Sequence, residues 1–136
     1  MLNHNISADK KKYKNKVPNH CELRCGSKYT LLRDEFLEAK KAKKKVKKKI
    51  KTIFLSLGGA DHKNLNIKIL KVVEKFKKSL KVNLVTTTAN KNLEELKGYC
   101  KDIKWINLQI NSNEVAKLMS KSDFAIVTPS VTANEI

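Results

Sequence analysis

Four short apolar segments, each followed by a polar turn, organise the chain from Thr52 onward. We expect strands at residues 52–57, 82–87, 103–108 and 123–128. We expect helices between them at residues 64–79, 92–100 and 113–121, and the start of another at 129–136. Strands that alternate with helices over short connections form right-handed crossovers and a parallel sheet. The pattern therefore predicts an α/β, Rossmann-like fold.

The spacing of apolar residues predicts which side chains of these elements are buried. The first helix has apolar residues at helical spacing, and we expect them on its inner face: Leu65, Ile69, Val72, Val73 and Phe76. In the last complete helix, the expected inner residues are Val115, Leu118 and Met119. Trp105, in the middle of the third expected strand, is predicted to lie in the core rather than to stack on a ligand.

The first strand runs into two consecutive glycines, Gly58 and Gly59, and then Asp61. Glycine lets the backbone approach a ligand closely, and the following helix adds a positive partial charge at its N-terminus. Taken alone, the pair is more typical of a simple turn, and Asp61 or Asn64 would also suit a helix cap. Within a repeated strand–helix pattern it becomes a candidate phosphate loop.

The other strand tips are the remaining places for a ligand, because open parallel sheets bind ligands at the carboxyl ends of their strands. The tips at 58–61, 86–90, 109–111 and 128–135 are all polar or rich in glycine. Glu135 lies one turn into the last expected helix, where its carboxylate would suit a diol such as ribose. A favourable charge at a helix N-terminus explains Glu135 equally well.

The charge of the chain is strongly positive, with 30 Lys and Arg against 13 Asp and Glu, a net charge of +17. Nine of the lysines lie between Lys40 and Lys51, which we call the lysine segment, and this segment has no acidic residue. Arg24 and Arg33 are the only arginines, whereas proteins that read bases or clamp phosphates favour arginine. The lysine segment is therefore predicted to be an exposed linker, and no nucleic-acid partner is expected.

Cysteine and histidine spacing indicates no metal site and no catalytic pair. Cys21, Cys25 and Cys100 are an odd number at no zinc-like spacing, and the three histidines complete no ligand set. Free thiols suit a reducing cytoplasm, and Cys25 is predicted to be a buried thiol at a strand end. We expect no cofactor, no membrane association, a cytoplasmic location and a monomer.

The N-terminal part shows weaker patterns. Residues 1–19 are polar and predicted to be irregular, residues 21–25 form a short strand, and residues 29–39 form a helix with Leu32, Phe36 and Leu37 on one stripe. Elements this short cannot form a core alone. We expect them to be the tail of a larger domain, and we expect the sheet domain to be cut off within its fourth strand–helix unit.

Several segments together resemble one family, in order and over nearly the whole chain: VPNHCELRCGSKYTLLRDEF, FLSLGGADHKNL, VTTTANKNLEELK, NEVAKLM and VTANE. They resemble the UDP-sugar hydrolases of the pseudaminic acid pathway, which supplies flagellin glycosylation. The resemblance implies release of UDP from UDP-2,4-diacetamido-2,4,6-trideoxy-β-L-altropyranose. It also implies similarity to GT-B glycosyltransferases, which have two Rossmann-like domains with a cleft between them.

The resemblance also implies a domain plan and a set of binding residues. Residues 1–26 would end the N-terminal domain, residues 27–51 would form a crossing helix and lysine-rich linker, and residues 52–136 would form an incomplete UDP-binding domain. The loop of Gly58, Gly59 and Asp61 would face the diphosphate, and the backbone near Ile110 would meet uracil. The ribose would be approached by Asn134 and Glu135.

One part of the family pattern is absent from this sequence. The resemblance implies attack by activated water with UDP as the leaving group, which needs a histidine base from a Gly-x-Gly-His-like loop. The sequence contains no such loop. We therefore expect this chain alone to be inactive toward the UDP-sugar and to bind UDP no more than weakly. Two alternatives remain: a GT-B glycosyltransferase that uses a UDP-sugar donor, and a basic nucleic-acid-binding module.

Overall fold

A computed structural model describes residues 1–5, 7–41, 49–76, 79–128 and 135. In the N-terminal segment, strands β1 (Leu2–Asn3) and β2 (Arg24–Cys25) pair in parallel, and helix α1 spans Asp34–Lys41. Part of the region expected to be irregular is thus ordered, since it contains β1 and a 3₁₀ turn at Lys10–Tyr13. The strand predicted at 21–25 is only the two residues of β2.

Helix α1 begins later than its apolar spacing predicted. Gly26, with φ of +103°, leads into a 3₁₀ turn at Ser27–Tyr29, so the chain is not yet α-helical there. Asp34 and Glu35 then occupy the first turn of α1, where acidic side chains stabilise the positive end of the helix dipole. Phe36 is buried as expected, whereas Leu37 is 46% exposed.

The main body is a four-stranded parallel sheet. Its strands in chain order are β3 (Thr52–Ser56), β4 (Lys81–Thr86), β5 (Ile106–Ile110) and β6 (Phe124–Val127). They are arranged β5-β4-β3-β6, so the chain steps outward twice from β3 and then returns to its other side. The α/β, Rossmann-like fold with a parallel sheet is confirmed. The switch in strand order falls between β3 and β6, where such sheets open a crevice.

Three helices connect the strands: α2 (Leu65–Val73), α3 (Leu93–Cys100) and α4 (Val115–Ser120). Helices α2 and α3 contact each other, as expected for two crossovers on one face of the sheet. The connection from β5 to β6 runs in the opposite direction, and the right-handed rule therefore puts α4 on the other face. Helix α1 packs against α4, which joins the N-terminal segment to the sheet body.

The core lies between the sheet and helices α2 and α3. Four consecutive residues of β3 are buried, as is typical of a central strand covered on both faces. Alternate residues of β3 and β4 meet helix residues in one cluster: Ile53, Leu55, Ile67, Leu70, Val73, Val82, Leu84 and Leu96. Burial of one such leucine or isoleucine contributes roughly 1.5–3 kcal/mol. This core fixes the carboxyl ends of β3 and β4 relative to each other.

The predicted inner face of α2 was only partly right: Val73 is buried and Ile69 packs against the core cluster, but three other residues of the predicted face are exposed. Leu65, Val72 and Phe76 are 38%, 59% and 59% exposed, and the buried apolar residues of the helix are Ile67, Leu70 and Val73. Both sets fit a period of 3.6 residues, so spacing did not distinguish them. The helix also ends at Val73 and continues as a 3₁₀ turn at Glu74–Phe76, short of the expected residue 79.

Smaller differences concern β5 and the loops. Strand β5 begins at Ile106 rather than at residue 103, because turns occupy residues 101–105. Trp105 therefore precedes the strand, and it packs half-buried against the core cluster. Cys25 is buried with a free thiol, as predicted. Residues 42–48, which are most of the lysine segment, lie outside the described residues, as do residues 129–134 and Ile136, where another helix was expected to begin.

Candidate functional site

The connection from β3 to α2, residues 57–64, crosses the carboxyl edge of the sheet next to the switch in strand order. We call it the glycine loop. Gly58 has φ of +77°, in the left-handed region that side chains rarely adopt. Among the described residues, a Cβ on Gly58 would meet only Thr128 Oγ1, at 3.8 Å, so the backbone conformation rather than space favours glycine there.

At position 59, lack of space rather than backbone conformation requires glycine. A Cβ at this position would lie 2.7 Å from Thr87 Oγ1, closer than real contacts allow. The Thr87 hydroxyl donates a hydrogen bond to the Gly59 carbonyl at 3.3 Å and accepts one from the Ala89 amide at 3.2 Å. The side chain from the neighbouring loop thus occupies the space that a larger residue at position 59 would need.

The connection from β4 to α3, residues 87–92, supports the glycine loop. We call it the bracing loop. The Asn92 amide nitrogen Nδ2 donates to the Asp61 carbonyl at 2.8 Å, and the Lys91 backbone amide donates to the Ala60 carbonyl at 3.4 Å. Asn90 is 4% exposed and donates from Nδ2 to Thr86 Oγ1 at 3.1 Å. The bracing loop is itself fixed to the end of β4.

Asp61 is the cap of α2. Its two carboxylate oxygens accept hydrogen bonds from the backbone amides of Leu65 at 2.8 Å and Asn66 at 3.0 Å. Asn64, the other candidate cap, makes no capping bond, and its Nδ2 instead donates to Glu95 of α3 at 2.8 Å. Because the Asp61 carboxylate already occupies the N-terminus of α2, these two amides are not free for a phosphate.

A pocket of about 310 Å³ lies along the glycine loop, which is near the lower end of the range for small-molecule sites. Its walls are Leu57, Gly58, Gly59, Ala60, Asp61, His62, Lys63 and Leu65. His62 and Lys63 are exposed side chains at its mouth. Lys63 brings a positive charge to the wall of this pocket, and the sequence does not distinguish it because it is one of many lysines.

Ile110 lies at the carboxyl end of β5, paired with Thr86 of β4. Strand β4 separates β5 from β3, an interval of roughly 10 Å at ordinary strand spacing. The next residue, Asn111, has φ of +52°, and its side-chain oxygen accepts from the Thr88 amide at 3.1 Å. Ile110 is therefore at the same edge as the glycine loop, but it is not part of the loop's pocket.

Glu135 lies against Arg33, which immediately precedes α1. The distance from Arg33 Nη2 to Glu135 Oε1 is 3.6 Å, and the Glu135 side chain is only 9% exposed. Asn134, the other expected ribose contact, lies outside the described residues. The structure thus brings together Gly58, Gly59 and Asp61, and it puts Glu135 in a separate charged contact.

Two further findings concern parts of the chain away from the glycine loop. Burial raises the pKa of the Cys100 thiol, at the end of α3, to about 11. Across the ranges that the structure describes, no helix combines the length and apolar character needed to cross a membrane.

These observations define the class of the protein: a Rossmann-like α/β chain with a braced glycine loop beside the switch point of its parallel sheet. No family model matches the sequence. The chain is 36% identical over 135 residues to the UDP-2,4-diacetamido-2,4,6-trideoxy-beta-L-altropyranose hydrolase of Campylobacter jejuni, and the match covers 99% of this chain and 47% of that protein. The resemblance found in the sequence segments is therefore confirmed.

A second relative is an uncharacterised protein of Methanocaldococcus jannaschii. It is 32% identical over 116 residues, and the match covers 81% of this chain and 24% of that protein. The chain thus spans about half or less of the length of these two curated relatives. The first comparison supports a relationship with a UDP-sugar hydrolase, whereas the second carries no information about function.

Proposed function

We propose that this chain supplies the UDP-binding part of a UDP-sugar hydrolase, with UDP-2,4-diacetamido-2,4,6-trideoxy-β-L-altropyranose as the substrate of the complete enzyme. The observation that carries the proposal is the similarity to the Campylobacter hydrolase along 99% of the chain, which includes the glycine loop. In this plan, residues 1–26 end an N-terminal domain, residues 27–51 cross between domains, and residues 52–136 bind UDP. The chain acts in the cytoplasm as a monomer.

The diphosphate would lie on the glycine loop. Gly58 and Gly59 put no side chains over the loop backbone, and the bracing loop holds that backbone in one conformation before a ligand arrives. Asp61 contributes by fixing the turn and the start of α2, since both of its carboxylate oxygens are engaged there. Lys63 supplies the countercharge at the pocket mouth, as a flexible point charge suited to phosphate.

The nucleoside would extend from the glycine loop toward two other places. The backbone near Ile110 suits uracil, whose edge needs one hydrogen-bond donor and one acceptor from the protein. Glu135, with Asn134, suits the ribose hydroxyls, because a carboxylate accepts hydrogen bonds from both members of a diol. The hydrolytic step needs a general base to activate water, and the sequence has no Gly-x-Gly-His loop to supply it. We therefore propose UDP binding without turnover.

Paired lysine variants test the diphosphate site. Lys63→Ala should weaken UDP binding about three- to tenfold, because it removes a charge beside the phosphates, while uridine binding stays unchanged. Lys71→Ala is the matched control, since Lys71 is an equally exposed lysine on α2 outside the pocket. Titration calorimetry or NMR titration measures each dissociation constant. Equal losses in both variants would indicate general attraction to a basic protein and would contradict the proposed site.

A further inference from the structure

We infer that Arg33 is a positioning residue for Glu135: its guanidinium holds the carboxylate where the ribose hydroxyls of a uridine nucleotide would meet it. This inference rests on the proposed function. It assigns a role in nucleotide binding to the segment just before α1, outside the sheet domain. Arg33 and Glu135 are far apart in the sequence, and only the fold brings them together.

Arg33 is fixed by its own neighbours. Its Nη1 lies 2.7 Å from Glu35 Oε1, and its guanidinium carbon lies 4.8 Å from the centre of the Phe36 ring. Phe36 is 5% exposed, so the ring is a rigid base for the guanidinium. Helix α1 itself packs against α4 of the sheet body. The planar guanidinium group is therefore held at a defined position relative to the sheet.

The Glu135 carboxylate lies beside the positive charge of Arg33. Its side chain is 9% exposed, whereas that of Arg33 is 54% exposed, so the carboxylate is the more desolvated partner. Removing a charged carboxylate from water is costly unless a countercharge lies close to it. The distance of 3.6 Å exceeds the usual hydrogen-bond range of about 2.7–3.2 Å. The carboxylate, which has about four lone-pair sites, therefore keeps acceptor capacity for a diol while Arg33 stabilises its charge.

The test measures binding of UDP and of 2′,3′-dideoxy-UDP, which lacks both ribose hydroxyls, to the full chain. Arg33→Ala should weaken UDP binding about three- to fivefold, in keeping with a partly exposed ion pair, and leave dideoxy-UDP binding unchanged. Glu135→Ala should abolish the preference for UDP over dideoxy-UDP. Arg33→Lys should restore part of the preference, because lysine keeps the charge but not the planar fork.

Arg24→Ala is the matched control. Arg24 is the other arginine of the chain, is 56% exposed, and lies 3.0 Å from Glu22 in the small N-terminal sheet. Its removal should leave both affinities unchanged. Thermal unfolding of each variant establishes that the protein is folded at the temperature of the titration.

The possible results separate this inference from the proposed function. A wild-type chain that binds no UDP overturns both. Wild-type binding with equal affinity for UDP and dideoxy-UDP leaves the diphosphate site intact but overturns the role of Glu135 and Arg33. Equal losses for the two ligands in Arg33→Ala indicate a purely structural arginine. Tighter UDP binding in Arg33→Ala indicates that Arg33 competes with ribose for the carboxylate. Either of the last two results overturns the inference.

Discussion

The two strand-to-helix loops at the edge of the sheet have different tasks. The glycine loop presents little more than backbone along its first half, whereas the bracing loop presents side chains that contact that backbone. Thr87 and Asn92 of the bracing loop bond the carbonyls of Gly59 and Asp61. A binding surface made of glycine backbone therefore needs a neighbouring loop to hold its shape, because glycine loses more conformational entropy on ordering than other residues.

The largest effect on stability should come from adding a side-chain carbon in the narrow space between the two loops. Gly59→Ala places a methyl group 2.7 Å from Thr87 Oγ1 and should destabilise the protein by about 2 kcal/mol. Denaturant unfolding measures the change. Gly98→Ala is the control: a Cβ there meets nothing within 4 Å, and helix α3 should gain about 0.5–1 kcal/mol.

A double variant shows whether the clash is the cause. Adding Thr87→Ala to Gly59→Ala removes the hydroxyl and should recover part of the lost stability, although the Thr87 hydrogen bond is lost as well. If Gly59→Ala alone is as stable as the wild type, Thr87 does not pack as closely against position 59 as the structure indicates.

The next effect concerns the cap at the end of the glycine loop. Asp61→Ala leaves the amides of Leu65 and Asn66 without their acceptor and should cost about 1–2 kcal/mol of unfolding free energy. UDP affinity of the folded variant should fall only slightly, in step with the lost order of the loop, because Asp61 holds the loop and does not contact the phosphates. Glu94→Ala, which removes an exposed carboxylate from the first turn of α3, should change stability by less than about 0.5 kcal/mol. A large loss of UDP affinity with unchanged stability would instead assign Asp61 to the ligand.

A smaller effect is expected from cutting one bond of the brace. Asn92→Ala removes the donor to the Asp61 carbonyl and should cost about 1 kcal/mol. The variant should keep its fold but bind UDP more weakly, because the glycine loop becomes less ordered. The matched control is Asn107→Ala on the edge strand β5, which removes exposed side-chain hydrogen bonds to Asn83 and from Gln109. An equal change in UDP affinity for the two variants would rule out a special role for the bracing loop.

The smallest change is expected at the far end of α3. Burial raises the pKa of Cys100 from its ordinary value of 9.0 to about 11, since it disfavours the thiolate. Its stabilising contribution is therefore full below about pH 9 and is lost as the pH rises toward 11. At pH 9, alkylation of Cys100 should be on the order of 10- to 100-fold slower in the folded than in the unfolded chain.

Asn92→Ala should leave that pH profile unchanged, because the substitution affects the start of α3 and not its packed end. Mass spectrometry of alkylated peptides follows Cys100 separately from Cys21 and Cys25. A profile that shifts toward pH 9 in the variant would mean that the bracing loop holds the whole helix and not only the glycine loop.

The sequence predicted the α/β class, the order of the elements after Thr52 and the glycine loop, because these depend on local patterns. It placed Leu65, Val72 and Phe76 wrongly on the inner face of α2, since the apolar residues of that helix fit two faces equally well. Asn66 is 0% exposed although it is polar, so hydropathy does not predict its burial. Only the position of the helix on the sheet decided between the faces.

The contacts that shape the site had no signal in the sequence. Thr87 lies 28 residues after Gly59, and Asn92 lies 31 residues after Asp61. In the sequence, each is an ordinary polar residue in a polar loop. Only the pairing of β3 with β4 brings each one next to its partner. The contact of Arg33 with Glu135 depends in the same way on the packing of α1 against α4.

The diphosphate of UDP is proposed to bind on the glycine loop. Titration of the isotope-labelled full chain with UDP, followed by amide NMR shifts, tests this binding. We expect saturable shifts at Gly58 and Gly59, accompanied by shifts at Ile110 and Glu135. Shifts confined to the lysine segment, with the amides of Gly58 and Gly59 unmoved, would contradict it.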